Sequence, residues 1–234
     1  MTASRTARER VRAELTREIV EIARRQLATE GAGGLSLRAV AREMGMVSSA
    51  IYRYFPSRDD LLTTLIIDGY NALGEAVERA DAAAPGDDFP GRWAALCHAV
   101  RDWALAHPHE YALLYGSPVP GYQAPQDTIA PRVRDLRVFG AILSAAQRAG
   151  ALVPPAAPVE ADPALAGDAE ASLAELMPGV PGDALLRALS AWTALYGWVS
   201  FEVFGQFKGA FEDNRPAFDH MVRALGATIG LTRA

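Results

Sequence analysis

The sequence lacks the features of a membrane-spanning or disulfide-bonded protein. Its longest uncharged run without proline, Ala188 to Phe201, has 14 residues, whereas a membrane-spanning helix needs about 20. The single cysteine, Cys97, excludes an intrachain disulfide and a cysteine-rich zinc site. The arginines near the N-terminus are not followed by an apolar segment, as they would be in a secretory signal. We therefore expect a cytoplasmic protein that makes no membrane contact.

Patterns that mark catalytic and metal sites are also missing. None of the four histidines has the spacing of a metal site, and His107 and His109, two residues apart, would point away from each other on a helix. The other two are His98 and His220. No Ser/His/Asp order, phosphate-binding loop or pair of carboxylates stands out. We therefore expect no metal, no cofactor and no enzymatic activity.

Positive charge is scarce overall but concentrated at one end. The net charge is −5, yet residues 1–58 hold 11 arginines against 6 acidic residues, a net of +5. The remaining 12 basic and 22 acidic residues give residues 59–234 a net of −10. A small polyanion-binding module on an acidic body would show this asymmetry. Chance unevenness is the alternative.

Helical spacing of apolar residues runs through the whole chain, with no convincing alternating strand, so the predicted fold class is all-α. The first 55 residues fit three short helices. The first ends at Gly31, Ser36 caps the second, and Gly45 supplies the left-handed position that ends it. Pro56 stops the third helix. We place a helix-turn-helix DNA-binding domain at residues 1–58 and a helical ligand-binding and dimerisation domain at residues 59–234.

The second part of the chain fits several longer helices separated by loops. Periodic apolar positions predict helices at residues 58–81, 93–107, 108–115, 136–149, 183–203 and 216–229. Between residues 151 and 182 six prolines predict a surface loop, with a short helix around Leu165 to Met177.

Two short helices joined by a glycine-containing turn are the ingredients of a helix-turn-helix, although generic helix hairpins look similar. The stretch from Leu35 to Leu62 reads LSLRAVAREMGMVSSAIYRYFPSRDDLL. It closely resembles the helix-turn-helix signature of the TetR family of bacterial transcription regulators, and the match covers residues 14–62 nearly without gaps. One departure is Val47, which stands where the family usually has a capping Ser or Thr.

The resemblance implies a set of DNA contacts. Those at the start of the second helix are Ser36 and Arg38; those facing base edges are Val47, Ser48, Ser49 and Ala50; those binding phosphates are Tyr52, Tyr54 and Arg58. Two alternatives stay open from the residues themselves. Tyr54 could be a core aromatic residue, and Arg58 could be a solvated charge in the first turn of its helix.

Four arginines precede this module: Arg5, Arg8, Arg10 and Arg12. They lie in a polar segment with no capping residue, and we expect an arm. Such an arm either reaches a narrow minor groove or is a frayed, solvated tail.

The helix after Asp183 carries apolar residues at alternating spacings of four and three, typical of the seam between packed helices. Residues 192–202 also resemble the Trp-His-Gly element of one TetR C-terminal subclass, with Tyr196 in place of His. In that family this helix and the last one form a four-helix bundle with a second subunit. The implied homodimer interface contains Leu185, Leu189, Val199, Val203, Met221 and Leu225.

The middle of the chain holds more aromatic surface than a small core requires. An apolar pocket for a small-molecule inducer and plain core packing are both open explanations. The candidate ligand-binding residues are Trp93, Cys97, Trp103, Tyr111, Tyr115, Phe139, Trp192 and Tyr196.

Taken together, these patterns predict a homodimeric repressor. It would bind double-stranded DNA at a palindromic operator and be released by a small apolar or aromatic ligand. Two alternatives remain at this point: an all-α small-molecule binding protein that does not use its helix-turn-helix, and a transcriptional activator on the same scaffold.

Overall fold

The computed structural model describes residues 2–157 and 159–231, with side chains from Thr6 onward. Within these ranges the chain contains helices and no strand, which confirms the all-α prediction. The helices are α1 (Thr2–Gly34), α2 (Leu37–Glu43), α3 (Ser48–Ile51), α4 (Arg58–Ala83), α5 (Phe89–Ala106), α6 (Pro108–Tyr115), α7 (Ile129–Arg132), α8 (Arg134–Arg148), α9 (Pro163–Leu173), α10 (Gly182–Val203) and α11 (Asn214–Ile229), with a 3-10 turn at Gln126–Thr128. Every helix in the described part of the chain is too short or too polar to cross a membrane.

The first helix is longer than the sequence suggested. We expected Arg8, Arg10 and Arg12 to lie in an arm, but α1 begins at Thr2 and includes them. The segment is rich in Ala, Arg and Glu, which are good helix formers, so it extends the helix without a cap. The side chain of Arg5 lies outside the described residues. At the other end Gly31 adopts a φ of 68° and kinks the helix where the sequence predicted its end.

The described chain forms two compact units. The first consists of Met1–Tyr70 and His107–Pro131, and the second of Asn71–Ala106 and Arg132–Ala234. The division falls inside α4, so this one helix contributes its first half to one unit and its second half to the other.

Apolar side chains from α1 to α4 build the core of the first unit. Ile19, Val40, Ile51 and Leu61 are among its fully buried members. Gly45, with a φ of 65°, makes the turn that brings α2 and α3 together, as predicted.

Polar contacts hold the remaining parts of the first unit to α1 and α4. The Arg24 guanidinium lies 3.2 Å from the Asp68 carboxylate and 3.6 Å from Glu110, joining α1, α4 and α6. The Thr63 and Tyr122 hydroxyls are 2.9 Å apart, which holds the loop after α6 against α4.

Helix α5 lies at the centre of the second unit and packs against α8, α10 and α11. The Trp93 indole N–H donates to the Val222 carbonyl at 2.9 Å, tying α5 to α11. Arg101 of α5 makes a two-pronged ion pair with Glu202 of α10, at 2.7 and 2.5 Å. Both side chains are less than one-tenth exposed, so this pair fixes the two helices in register.

The proline-rich segment before α10 is well anchored. It contains the predicted short helix as α9, which Asp162 caps by accepting from the Ala164 N–H at 2.8 Å and which packs on α10. A Cβ atom at Gly140 would lie only 2.1 Å from the Leu176 carbonyl oxygen, so α8 tolerates only glycine there. Because Met177 and Val180 are also buried, the segment covers part of the core.

Candidate functional site

The predicted base-reading residues lie together on the outer side of α3. Val47 is 73% exposed, and Ser48 and Ser49 are exposed beside it. Ala50 is half-buried, while Ile51, on the inner side, is fully buried in the core. The Val47 side chain makes no capping hydrogen bond, as its departure from the family pattern predicts. The helix is therefore held by packing and presents short side chains to solvent.

The predicted contacts on α2 have different local roles. Ser36 caps the helix, since its hydroxyl accepts from the Ala39 N–H at 3.4 Å, and its own N–H donates to Gln26 Oε1 at 3.1 Å. Arg38 is exposed, and among the described residues its guanidinium forms no ion pair. Arg38 is thus available to an external anion.

The two tyrosines after α3 are placed differently. Tyr52 is exposed, whereas the Tyr54 ring packs against the core of the first unit. The guanidinium of Arg12 lies 6.0 Å from the centre of the Tyr54 ring, within the range of a cation–π contact. The position of the Tyr54 ring therefore agrees with the alternative that Tyr54 is a core aromatic residue.

The guanidinium of Arg58 already has hydrogen-bond partners within the module. Its guanidinium donates to the Leu35 carbonyl at 3.1 Å, the Ala32 carbonyl at 2.6 Å and the Gly33 carbonyl at 3.4 Å. Two of these bonds satisfy carbonyls of the last turn of α1, which lack partners within the helix, and the third satisfies the Leu35 carbonyl in the link to α2. These bonds give Arg58 a structural role in the module, and its expected phosphate contact stays a prediction.

An aromatic ladder runs through the second unit between α5, α8 and α10. We use this name for Trp93, Phe139, Trp192 and Tyr196. Successive ring centres are 5.0, 5.2 and 5.1 Å apart, and Phe139 and Trp192 are stacked with an interplanar angle of 13°. Four of the predicted ligand residues are thus in direct contact with one another.

A buried carboxylate lies at one end of this ladder, and the sequence analysis missed it. Asp135 is 4% exposed and lies one turn before Phe139 on α8. Its Oδ1 accepts from the Leu136 N–H at 2.8 Å, and its Oδ2 accepts from the Tyr196 hydroxyl. Burial raises the pKa of Asp135, and the Tyr196 bond lowers it in part. The available signal was an acidic residue four positions before Phe139, on the apolar face of its helix.

The other four predicted ligand residues are not among the ring contacts that define the ladder. Tyr111 and Tyr115 belong to the first unit, where their ring centres are 5.0 Å apart. Trp103 and Cys97 are buried in the second unit. Burial raises the pKa of the Cys97 thiol well above its ordinary value, so this sulfur stays protonated and behaves as a small core residue.

Two residues of the predicted dimer interface are buried inside the subunit. Leu185 and Val199 are fully buried within the subunit, because the seam of α10 faces the helices of its own chain. Leu189 is 53% exposed, while Val203, Met221 and Leu225 are half-buried. The outward face of α10 instead carries Leu189, Ser190, Thr193, Ala194, Gly197 and Phe201.

Comparison with known proteins fits this arrangement. Residues 19–65 match the model of bacterial regulatory proteins of the tetR family, and residues 93–225 match the tetracyclin repressor-like C-terminal domain. HTH-type transcriptional regulators of Mycobacterium tuberculosis and Mycobacterium bovis are each 42% identical to this chain, over 96% of it and 94% of the relative. The chain belongs to the TetR family of transcription regulators.

A solved structure supports the same assignment. The regulatory protein SCO4313 is 37% identical, with a TM-score of 0.77 over 93% of this chain and 97% of that one. This TetR protein is therefore a DNA-binding transcription regulator, which confirms that prediction. The TetR family is a family of regulators and not of enzymes, as we also expected.

The buried carboxylate gives this TetR regulator a specific pH dependence. The raised pKa means that the folded state binds the Asp135 proton more tightly than the unfolded state does. Wild-type stability is therefore lost as the pH rises from the unfolded pKa through the folded one. Because asparagine does not titrate, Asp135→Asn should gain stability relative to wild type between pH 4 and pH 7, as measured by urea denaturation.

Asp183 provides a control of opposite sign. Its pKa is lowered by the hydrogen bond from Arg187, so its contribution to stability is nearly complete above the unfolded pKa and is lost as the pH falls towards the folded one. Asp183→Asn should therefore be less stable than wild type by a nearly constant amount at neutral pH, and this difference should shrink as the pH falls below about 4. Tyr196→Phe, which removes a donor to the buried carboxylate, should cost about 1–3 kcal/mol at pH 7. A pH-independent difference between Asp135→Asn and wild type would contradict the assignment.

Proposed function

We propose that this TetR regulator is a homodimeric repressor that binds a palindromic operator and leaves it when a small apolar or aromatic molecule binds. The observation that carries the DNA contact is the exposed face of α3. This face of a basic module exposes Val47, Ser48 and Ser49, while Ile51 on the other side of α3 is buried in the core. A short helix with one solvent-facing side of small residues suits deep entry into a major groove.

Base recognition through this face would use few hydrogen bonds. Serine hydroxyls bond either to donors or to acceptors on base edges, and small apolar groups contact the thymine methyl. Val47 and Ala50 supply such apolar groups beside Ser48 and Ser49. Specificity would then depend on close fit and on half-site spacing of about one helical turn or a multiple.

The DNA proposal is tested with duplexes from the region flanking the regulator's own gene. Arg38→Ala should weaken binding to all duplexes alike and lower the salt slope by roughly 1 to 2 across a dimer, because each lost phosphate contact removes about 0.9 counterions. Ser49→Ala should instead change the order of preference among operator variants. Gel shifts and anisotropy at several salt concentrations measure both effects.

Arg79→Ala is the matched control, since Arg79 is an exposed arginine on the second half of α4. It should leave both the salt slope and the sequence preference unchanged. Failure of the wild-type protein to prefer any flanking duplex over random DNA would contradict operator binding at this region.

Dimerisation is proposed from the outward faces of α10 and α11. On α11 the exposed residues include Ala224, Ala227 and Thr228. Together with Thr193 and Gly197 of α10, these small residues allow close approach of helices from a second subunit. A two-fold interface would bury both faces at once.

Leu189→Glu should shift the protein towards monomers in sedimentation experiments at micromolar concentration, because it places a charge on the face of α10 that the proposed interface would bury. Leu165→Glu on α9 is the matched control, since Leu165 is also 53% exposed but lies outside the proposed face. Unchanged dimers in Leu189→Glu, or equal dissociation of both variants, would place the interface elsewhere.

The ligand proposal rests on the aromatic ladder. Three of its rings lie on α8 and α10, and the ladder ends at the Asp135–Tyr196 hydrogen bond. An aromatic molecule entering between α8 and α10 would stack on the rings of both helices, in place of the contact that Phe139 and Trp192 make with each other. Separation of the two helices would then be the conformational signal.

A screen of planar aromatic compounds by tryptophan fluorescence tests this proposal. Trp192→Leu should weaken binding of a hit at least tenfold, whereas Trp198→Leu, outside the ladder on the same helix, should change it less than threefold. Linkage requires operator DNA and the hit to weaken each other by the same factor, typically 5- to 150-fold. Equal ligand affinity with and without operator would contradict an inducer role.

A further inference from the structure

A groove lies between the first turns of α1 and the segment that follows α3. Its volume is about 410 Å³. The residues that line it are Ala7, Arg8, Val11, Arg12, Arg53 and Tyr54. We call it the amino-terminal groove. Half of its lining residues are arginines, and the aromatic ring of Tyr54 forms part of its surface.

The three arginines of this groove are available to an external anion. Among the residues that the structure describes, none of the three, Arg8, Arg12 and Arg53, forms an ion pair. Elsewhere in the module Arg24 and Arg25 are neutralised, since Arg24 pairs with Asp68 and Arg25 with Glu43. Three arginines without a neutralising partner in the described part of the chain thus line this groove.

Arg12 is oriented before any ligand arrives. Its Nη2 donates to the Arg53 carbonyl at 3.2 Å, and its guanidinium lies over the Tyr54 ring. The remaining N–H groups of the fork are left for an acceptor. A guanidinium held in this way loses less side-chain entropy when it binds an oxyanion.

The helix places Arg8 and Arg12 on one side. Arg8, Arg12, Leu15 and Ile19 follow one another at spacings of four, three and four, which is one face of an α-helix. Ile19 is fully buried in the core. The same face of α1 therefore changes from apolar to basic where it passes beyond the core and reaches the end of the α3 segment.

We infer that the amino-terminal groove binds backbone phosphates of the DNA that flanks the bases read by α3. This inference rests on the proposed DNA contact of α3 and extends it. Arginine forks match phosphate oxygens in charge and geometry. Since phosphate contacts carry no sequence information, the groove would lengthen the footprint and raise affinity without changing base preference.

Fluorescence anisotropy of the full-length protein tests the groove directly, with a labelled 40-base-pair duplex of random sequence and with the operator duplex. The double variant Arg8→Ala/Arg12→Ala should lower the salt slope by roughly 2 per subunit on both duplexes, because each lost contact removes about 0.9 counterions. The ratio of the two affinities should stay within threefold of wild type.

The matched control is Arg10→Ala/Arg17→Ala, which removes the same charge from the opposite face of the same helix. Both residues are exposed, and their guanidiniums donate to carbonyls one turn earlier in α1. The control should change the slope by less than half as much as the groove variant. Arg8→Lys/Arg12→Lys should retain most of the wild-type slope, and circular dichroism checks that every variant keeps its helices.

Four results would overturn the inference. If the wild-type protein binds DNA and the groove variant has an unchanged salt slope, the groove does not bind phosphates. The proposed DNA contact of α3 would then still stand. If the groove and control variants lower the salt slope equally, the DNA is attracted by the overall positive charge of the module and not by a defined site. If the groove variant loses binding to a labelled polyglutamate peptide but keeps its DNA salt slope, the groove docks an acidic protein segment. Absence of wild-type binding to any duplex would overturn the proposed function as well.

Discussion

One guanidinium ties together segments of the DNA-binding module that are far apart in the chain. Arg58 begins α4 and donates to carbonyls at the end of α1 and in the link to α2. Helix α3 has four residues and buries only Ile51, so it cannot fix its own position. Its orientation is set by the core that it packs into, which includes α2. Arg58 ties the start of α4 to the last turn of α1 and to the link before α2. Loss of these bonds would move the reading face without altering any residue on it.

The local structure of this module was predictable because its signals are short-range. Ser36, Gly45 and Val47 each act on the backbone within three residues, and each does in the structure what its chemistry predicts. The role of Arg58 was not predictable from spacing, since its partners lie 23 to 26 residues earlier in the chain. The helical start of α1 was missed because helix propensity acts there without a capping signal.

The second unit shows why periodicity cannot assign a partner. The heptad-like spacing of α10 correctly indicated a packed helix, but Leu185 and Val199 pack within the subunit. Spacing identifies an apolar face and does not distinguish a neighbouring helix from a second chain. Asp135 was missed for a related reason: a charge on an apolar face is explained only once Tyr196, 61 residues later, supplies its partner.

The buried state of Cys97 has a practical consequence. A thiol that is fully enclosed and remains protonated does not react with maleimide or methanethiosulfonate reagents under native conditions. A cysteine introduced at an exposed position away from the proposed DNA contact, such as Ala28 on α1, would therefore be the sole reactive thiol of each chain. Spin labels or fluorophores attached there would report the separation of two DNA-binding modules in the proposed dimer, with the native sequence otherwise intact.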